Sequence, residues 1–363
     1  MGPRLTAGRV LTARELTRAT LARQLLLRRQ RLPVARALER VSGLQAQRVT
    51  SPYLGLLARL DGFTHTALTR ALEGRRVVKA TLMRGTLHLV SAEDYLGLGP
   101  ALQPTLEVLW RRYAPDADRR DYQRLVRATV EFASEPRTGP ELRDFIAGLV
   151  GVEPTAAENV WWRIRMNAPL LRLPPDGIWG GGQRVWMATA ESWLGRRPDA
   201  DPAAATDLLV RRYLAAFGPA RVADLCQWSG LRAAPMREAV ARLDRQLRRF
   251  RDEQGRELID LHRAPLPDAD IRTPVRLLAM WDSSLLAYEE RTRVLPEEYR
   301  KVVIDKRGDV AQTILVDGQV AGIWRVDGRH VRLEPFAPLP RAARREAEEE
   351  AGRVEAFLDR APD

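Results

Sequence analysis

The chain writes one order of elements three times: a few short helical segments, then a β-hairpin. In the first run, Leu16 to Leu27 and Pro33 to Val41 read as helices, the second with Val34, Leu38 and Val41 on one face. Ser42-Gly43 breaks it, and Pro52 starts a third helix carrying Tyr53, Leu56, Leu57 and Leu60. A short helix near Thr66 to Glu73 precedes Val77 to Leu82 and Thr86 to Val90, two strands around Arg84-Gly85. Ser91 and Asp94 then suit a helix start. In the second run Tyr122, Leu125, Val126, Thr129 and Val130 have helical spacing, and Thr138-Gly139-Pro140 opens a helix with Leu142, Phe145, Ile146 and Leu149 on one face. Thr155 starts another with Val160, Trp161 and Ile164, and Leu170 to Leu173, Pro174 to Gly177 and Ile178 to Trp179 read as strand, turn and strand.

The third run follows a Pro/Asp/Ala linker, Pro198 to Ala205. Its helix faces are Val210, Tyr213, Leu214 and Phe217; then Val222, Leu225 and Cys226, closed by Gly230; then Met236, Val240, Leu243 and Leu247. Glu253-Gln254-Gly255 turns a small hairpin within Phe250 to Leu261. Beyond it, Val302 to Asp305, Val310 to Val316, Val320 to Arg325 and His330 to Leu333 alternate with Gly turns as a meander, and a charged helix at Arg341 to Leu358 closes the chain. Helices followed by a hairpin is the winged-helix order. The expected class is therefore α+β: three tandem winged-helix (helix-turn-helix plus β-hairpin) units followed by a C-terminal β-rich domain and a closing helix. The expected divisions are 8–95, 96–195 (a linker helix and the second unit), 205–265 and 270–363. The runs share order, not residue identity.

Charge points to the partner. A net charge of +12 favours a polyanion such as nucleic acid. Only Lys79, Lys301 and Lys306 are lysines, and GC-rich coding explains that choice of arginine, though not the excess of positive charge. One cysteine, Cys226, excludes a disulfide within the chain and a Cys-based zinc site, and the four histidines show no metal-binding spacing. No metal and no cofactor are expected. No apolar run reaches the length of a membrane span, and the Arg-rich start has no apolar leader core. A cytoplasmic monomer with no membrane partner is the expectation.

Two amides one residue apart, in Gly43-Leu44-Gln45-Ala46-Gln47, sit at the end of a helical segment and before a Pro-initiated one, with Ser51-Pro52-Tyr53 just after them. Taken alone, such glutamines are ordinary solvated side chains. In context, this segment resembles the Q-apolar-Q motif of the AlkZ family of DNA glycosylases. Met83-Arg84-Gly85-Thr86-Leu87-His88-Leu89-Val90 resembles the hairpin that family carries in its first unit. Trp281-Asp282, Leu295-Pro296-Glu297-Glu298-Tyr299-Arg300-Lys301 and Val316-Asp317-Gly318-Gln319-Val320-Ala321-Gly322-Ile323-Trp324-Arg325 are similar to its C-terminal signature. The resemblance covers almost the whole chain, and the C-terminal string is its most specific part. It implies excision of N-alkylated purines from double-stranded DNA, bulky adducts included, and in some members unhooking of interstrand crosslinks. It also implies three tandem winged helices closed by a β-domain. One branch of the family has Asp at the second motif position; Gln47 places this chain with the Q-apolar-Q branch.

The implied chemistry is coherent with amides. Alkylation at N7 of guanine makes the base cationic, so it leaves as a neutral group and needs no general acid. The sugar develops oxocarbenium character and a water must sit on its far face. Glutamine is no base at neutral pH, but its carbonyl can accept from that water and its NH₂ can hold it. Water positioning is assigned to Gln45 and Gln47 jointly. A lyase would want an amine, and Lys79 in a strand is unpromising, so hydrolysis without strand cleavage is expected.

The expected DNA-binding residues are Arg48 and Tyr53 beside the amides, Arg84 and His88 at the hairpin, and Arg248 and Arg249 in the Arg-rich string 245–251. Arg84, His88 and the Arg-rich string have plainer readings: a solvated wing arginine, an edge-strand histidine, a solvated face. Trp281-Asp282 either caps a central channel or is an apolar Trp beside a helix-capping Asp. Glu297-Glu298 after Pro296 reads as first-turn helix acids. Of Trp161-Trp162, helical spacing puts one in the core and one outside. The rival function is a non-catalytic winged-helix DNA binder or transcription regulator. A protein-interaction role without nucleic acid is a third, which the charge disfavours.

Overall fold

The computed structural model describes residues 9–113, 120–182, 184–199 and 201–361. The first residue of the first expected division, short stretches of the second, one residue of the Pro/Asp/Ala linker and the last two residues of the fourth lie outside them.

Helices begin where the capping chemistry says they should. Thr12 with Glu15, and Thr138 with Glu141, form capping boxes for Ala13–Arg23 and Gly139–Val150. Ser91 Oγ accepts from Asp94 N–H at the start of Ala92–Tyr113, and Asp201 caps Pro202–Phe217 with proline in its first turn. The charged closing helix spans Arg341–Leu358, as its pattern predicts.

The first two hairpins build one sheet. Val77–Thr81 pairs with Leu87–Ser91, and Leu170–Leu173 with Trp186–Thr189, all antiparallel. The hairpins join through Lys79↔Arg172 and Ala80↔Leu171. Leu44–Gln45 caps one edge of this six-stranded sheet and Arg137–Thr138 the other. The third hairpin, Leu247–Asp252 with Glu257–Leu261, has its own sheet, to which Val10–Leu11 adds in parallel. The C-terminal meander is Arg276–Leu278, Thr313–Val316, Gln319–Asp327 and His330–Pro335, antiparallel throughout, with a register shift at Ile314/Leu315.

Helix Pro202–Phe217 is central: Leu209, Val210, Tyr213, Leu214 and Phe217 pack in one core with Leu96, Leu102, Leu171 and Trp228. Buried ion pairs tie distant segments together. Arg23 forks onto Asp260 (2.7 and 3.0 Å) and also donates to the Leu214 carbonyl. Arg59 forks onto Asp282 (2.8 Å twice) and donates to Gln24 Oε1. Asp282 also caps Ser283–Leu286, so the capping reading of Trp281-Asp282 holds, and it serves a buried charge pair as well.

Four expectations are corrected. The return strand of the second hairpin is Trp186–Thr189, not Ile178–Trp179. Two apolar residues after a Pro-Pro turn carry too little period to define a strand; here Trp179 packs edge-on to Tyr53 and His65 (5.4 and 5.0 Å). Val302 to Asp305 is not a strand: Arg300–Val303 is one helical turn following the 3₁₀ turn Glu297–Tyr299, and Ile304 makes only an isolated bridge to Val310. Leu243 and Leu247 lie beyond the helix Ala233–Arg242, Leu247 opening the hairpin strand. Finally, Gln45 ends a short strand rather than a helix.

Candidate active site

Two left-handed residues make the amide strand possible. Ser42 (φ 61°) ends helix Val34–Val41 and Gly43 (φ 83°) turns the chain onto the sheet edge. A Cβ at Gly43 would stand 2.8 Å from Val90 Cγ1 and 3.2 Å from the Leu89 carbonyl, so glycine is required there on two counts. Leu44 then pairs with Leu89 and Gln45 with His88, and Ala46 N–H donates to the Leu87 carbonyl (2.7 Å).

The amides end in different surroundings. Gln45 is 7% exposed, and its Oε1 is buried with no hydrogen-bond partner. Gln47 is exposed, and its Oε1 accepts from Leu87 N–H (2.9 Å), which keeps its second lone pair in reserve. Gln47, not Gln45, lines a cleft of about 210 Å³ between the two joined hairpins. Its walls include Thr81, Leu87 and Met187, with Trp162, Arg165 and Arg172. Burial, with Arg172 beside it, lowers the Arg165 pKa. Trp161 is core and Trp162 half-buried, the split that helical spacing predicts.

His88 faces Gln45 across the strands and, at 1% exposed, is corrected from a DNA contact to a buried side chain, because its strand is covered on both sides by neighbours rather than lying at an edge. Burial first, and Arg84 second, push its pKa down to about 3, so the ring is neutral at physiological pH. Its Nδ1 lies 2.9 Å from the Thr86 carbonyl, which fixes Nδ1 as the protonated nitrogen. Arg84 occupies the hairpin turn at φ 56° and donates to the Trp228 carbonyl at the end of helix Val222–Ser229, where the helix dipole favours a cation. Burial and Arg291 lower its pKa to about 10. The hairpin turn is thus clamped to the third helical run.

The remaining candidates divide. Arg48 is exposed beside Gln47. Tyr53 is corrected from a DNA contact to a core residue: it is 0% exposed and its hydroxyl accepts from Trp179 N–H (3.1 Å). Arg248 and Arg249, expected to bind DNA, are partly exposed and engaged in ion pairs. Arg248 is held by Asp260 (2.9 Å), and Arg249 by Asp244 and Glu257 (2.7 Å each). Alternation along a strand hides such cross-strand acids from a linear reading. Sequence reasoning missed Arg165 and Arg172 as cleft residues; the signal lay in the joining of two hairpins, which no local pattern carries.

Lys79 is buried and bonded to Asp176 (2.7 Å), which also takes Arg172 (3.2 Å). Burial lowers the Lys79 pKa while Asp176 opposes it. Among the described residues no group of three His, Cys, Asp or Glu could hold a metal ion, and no helix is long and apolar enough to cross a membrane.

Known proteins share this fold. The chain is 25% identical over 364 residues to an interstrand DNA cross-link repair glycosylase of Streptomyces sahachiroi, with 92% of each covered. Its fold is similar to the solved Streptomyces sahachiroi DNA glycosylase AlkZ, with a TM-score of 0.79 at 21% identity, over 96% of this chain and 97% of that one. Residues 38–357 match the family described as DNA glycosylase AlkZ-like, so the chain belongs to the AlkZ-like DNA glycosylase family.

Proposed function

We propose that this protein hydrolyses the N-glycosidic bond of cationic N-alkylated purines in double-stranded DNA. Its substrates are 7-alkylguanines and bulky adducts, including those that link the two strands. The observation that carries the reading is the buried Gln45 Oε1 with no protein partner, opposite a neutral His88. A buried carbonyl without a donor is costly, and a site that accepts the cost is a site where a water can be held. Gln45 holds the nucleophilic water. Gln47, anchored by Leu87 N–H, holds the sugar or the water from the cleft side. Neither acts as a base, which suits a leaving group that is already cationic.

The crosslink arm rests on the name of the Streptomyces relative. The three helical runs with their hairpins act as tandem winged helices around the duplex, divided as 8–95, 96–195, 205–265 and 270–363. Arg48 contacts a phosphate beside the damaged nucleotide, and Arg84 holds the first hairpin for the minor groove. The enzyme is monofunctional, since Lys79 is locked to Asp176 and is no Schiff-base nucleophile. It acts as a cytoplasmic monomer.

The test is incubation with a 7-methylguanine duplex and with an N7-crosslinked duplex. Abasic product is expected from both, with strands intact until alkali is added. No product from either makes the non-catalytic DNA binder the correct reading.

A further inference from the structure

The largest cleft described, about 510 Å³ and open, lies between the loop after helix Ala13–Arg23, the end of helix Thr50–Arg59, strand Arg276–Leu278 and helix Arg341–Leu358. Arg28, Arg29, Arg272, Arg276 and Arg353 line it, against the single carboxylate of Asp61. Two more acids back the wall: Glu346 pairs with Arg272, and Glu350 with Arg29 and, at 3.5 Å, with Arg276. Three carboxylates against five guanidiniums leave an excess of two positive charges, and Arg31 also draws on Asp61 (2.8 Å).

The cations are crowded. Arg276 is 7% exposed and its pKa is pushed down to about 10 by burial, with Arg29 and Arg353 adding repulsion that Glu350 only partly offsets. Burial and Arg29 likewise lower Arg353. Arg353 donates one terminal nitrogen to the Leu60 carbonyl (3.1 Å), while its buried Nε has no partner. Arg28 is exposed at the rim and joins no ion pair among the described residues. Arg276 gives Nε to the Leu26 carbonyl (2.9 Å) and Nη1 to the Val275 carbonyl (3.1 Å), which anchors it in the wall. Guanidiniums in excess of carboxylates around an open cleft suit a tetrahedral oxyanion in charge.

We propose that this cleft binds a phosphate-type oxyanion, with Arg28, Arg276 and Arg353 as its ligands. It lies at the far end of helix Thr50–Arg59 from the amides, a ten-residue helix about 15 Å long, or roughly four base-pair rises of duplex. A phosphodiester of bound DNA and a free phosphate share this chemistry. The inference stands apart from catalysis, because neither readout below involves base release.

The experiment uses the full chain, wild type, Arg28→Gln and Arg353→Gln; Arg28 is exposed, so its replacement disturbs no core. Inorganic phosphate is titrated calorimetrically at fixed ionic strength, and affinity for an undamaged duplex is measured across a salt series. If free phosphate is the ligand, Arg28→Gln weakens phosphate binding by about tenfold, the loss of one charge-assisted hydrogen bond, with the duplex salt slope unchanged. If the ligand is a phosphodiester, the log–log salt slope for duplex falls in magnitude by about one. Phosphate affinity and salt slope both unchanged in both variants would overturn the proposal.

Discussion

Gln45→Met should abolish activity while leaving stability nearly unchanged. The amide carbonyl is buried opposite His88 and accepts no hydrogen bond from the protein. The water it holds satisfies it, where a bare buried carbonyl would cost about 1–3 kcal/mol. Methionine matches the length and nearly the volume of glutamine, so the exchange gives up that water without opening a large cavity. The net change stays within about 1 kcal/mol, or about 1–2 °C in melting temperature for a chain this long. Excision should fall, because a transition-state contact is gone: a loss of roughly a hundredfold or more, about 2.7 kcal/mol of barrier. The assay pairs thermal melting with single-turnover release of 7-methylguanine on one preparation. Lost excision at a nearly unchanged melting temperature is the mark of a residue kept for function. A lower melting temperature with excision retained would refute the reasoning and make Gln45 a structural side chain.

Further expectations concern the neighbouring groups. Gln47→Ala strips Leu87 N–H of its acceptor and should cost about 1 kcal/mol of stability as well as most of the excision rate, with duplex affinity near wild type by filter binding. Asp282→Asn breaks the buried fork from Arg59 and should destabilise by about 3–5 kcal/mol in chemical denaturation, because a buried guanidinium is left unpaired. Burial raises the Asp282 carboxyl, but Arg59 and Ser284 outweigh it and hold the pKa below the ordinary value; its stability is therefore present above about pH 4 and lost on acidification through the lowered folded value. His88, with a folded pKa of about 3, contributes stability that is complete above its unfolded value of about 6.5 and lost as pH falls toward 3. His88→Gln should flatten that stretch of the melting-temperature profile, while wild-type excision shows no His88 titration between pH 6 and 8.

Local rules exposed the first and third hairpins, the Ser91 and Thr138 caps and the closing helix, since turn residues and helical spacing act over a few positions. Thr138-Gly139-Pro140 and Arg341 to Leu358 behave as their patterns require. What stayed hidden depends on pairing between distant segments. The Gln45 strand exists only because Leu87–Ser91 offers it an edge. Lys79↔Arg172 joins two hairpins into one sheet and so creates the Gln47 cleft with Trp162. Asp260 reaches Arg248 from the partner strand, a pairing that the linear string does not show. Tyr53, beside the amides in sequence, turns inward because every residue from 51 to 59 of its helix is buried.

The central claim is that amides suffice because the departing base carries its own positive charge. Single-turnover excision from matched duplexes carrying 7-methylguanine, which is cationic, or ethenoadenine, which is neutral, tests it directly. The account predicts release of the first and no detectable release of the second, with the first lost in Gln45→Met and Gln47→Ala. Equal release of both bases would require a proton donor and would contradict it.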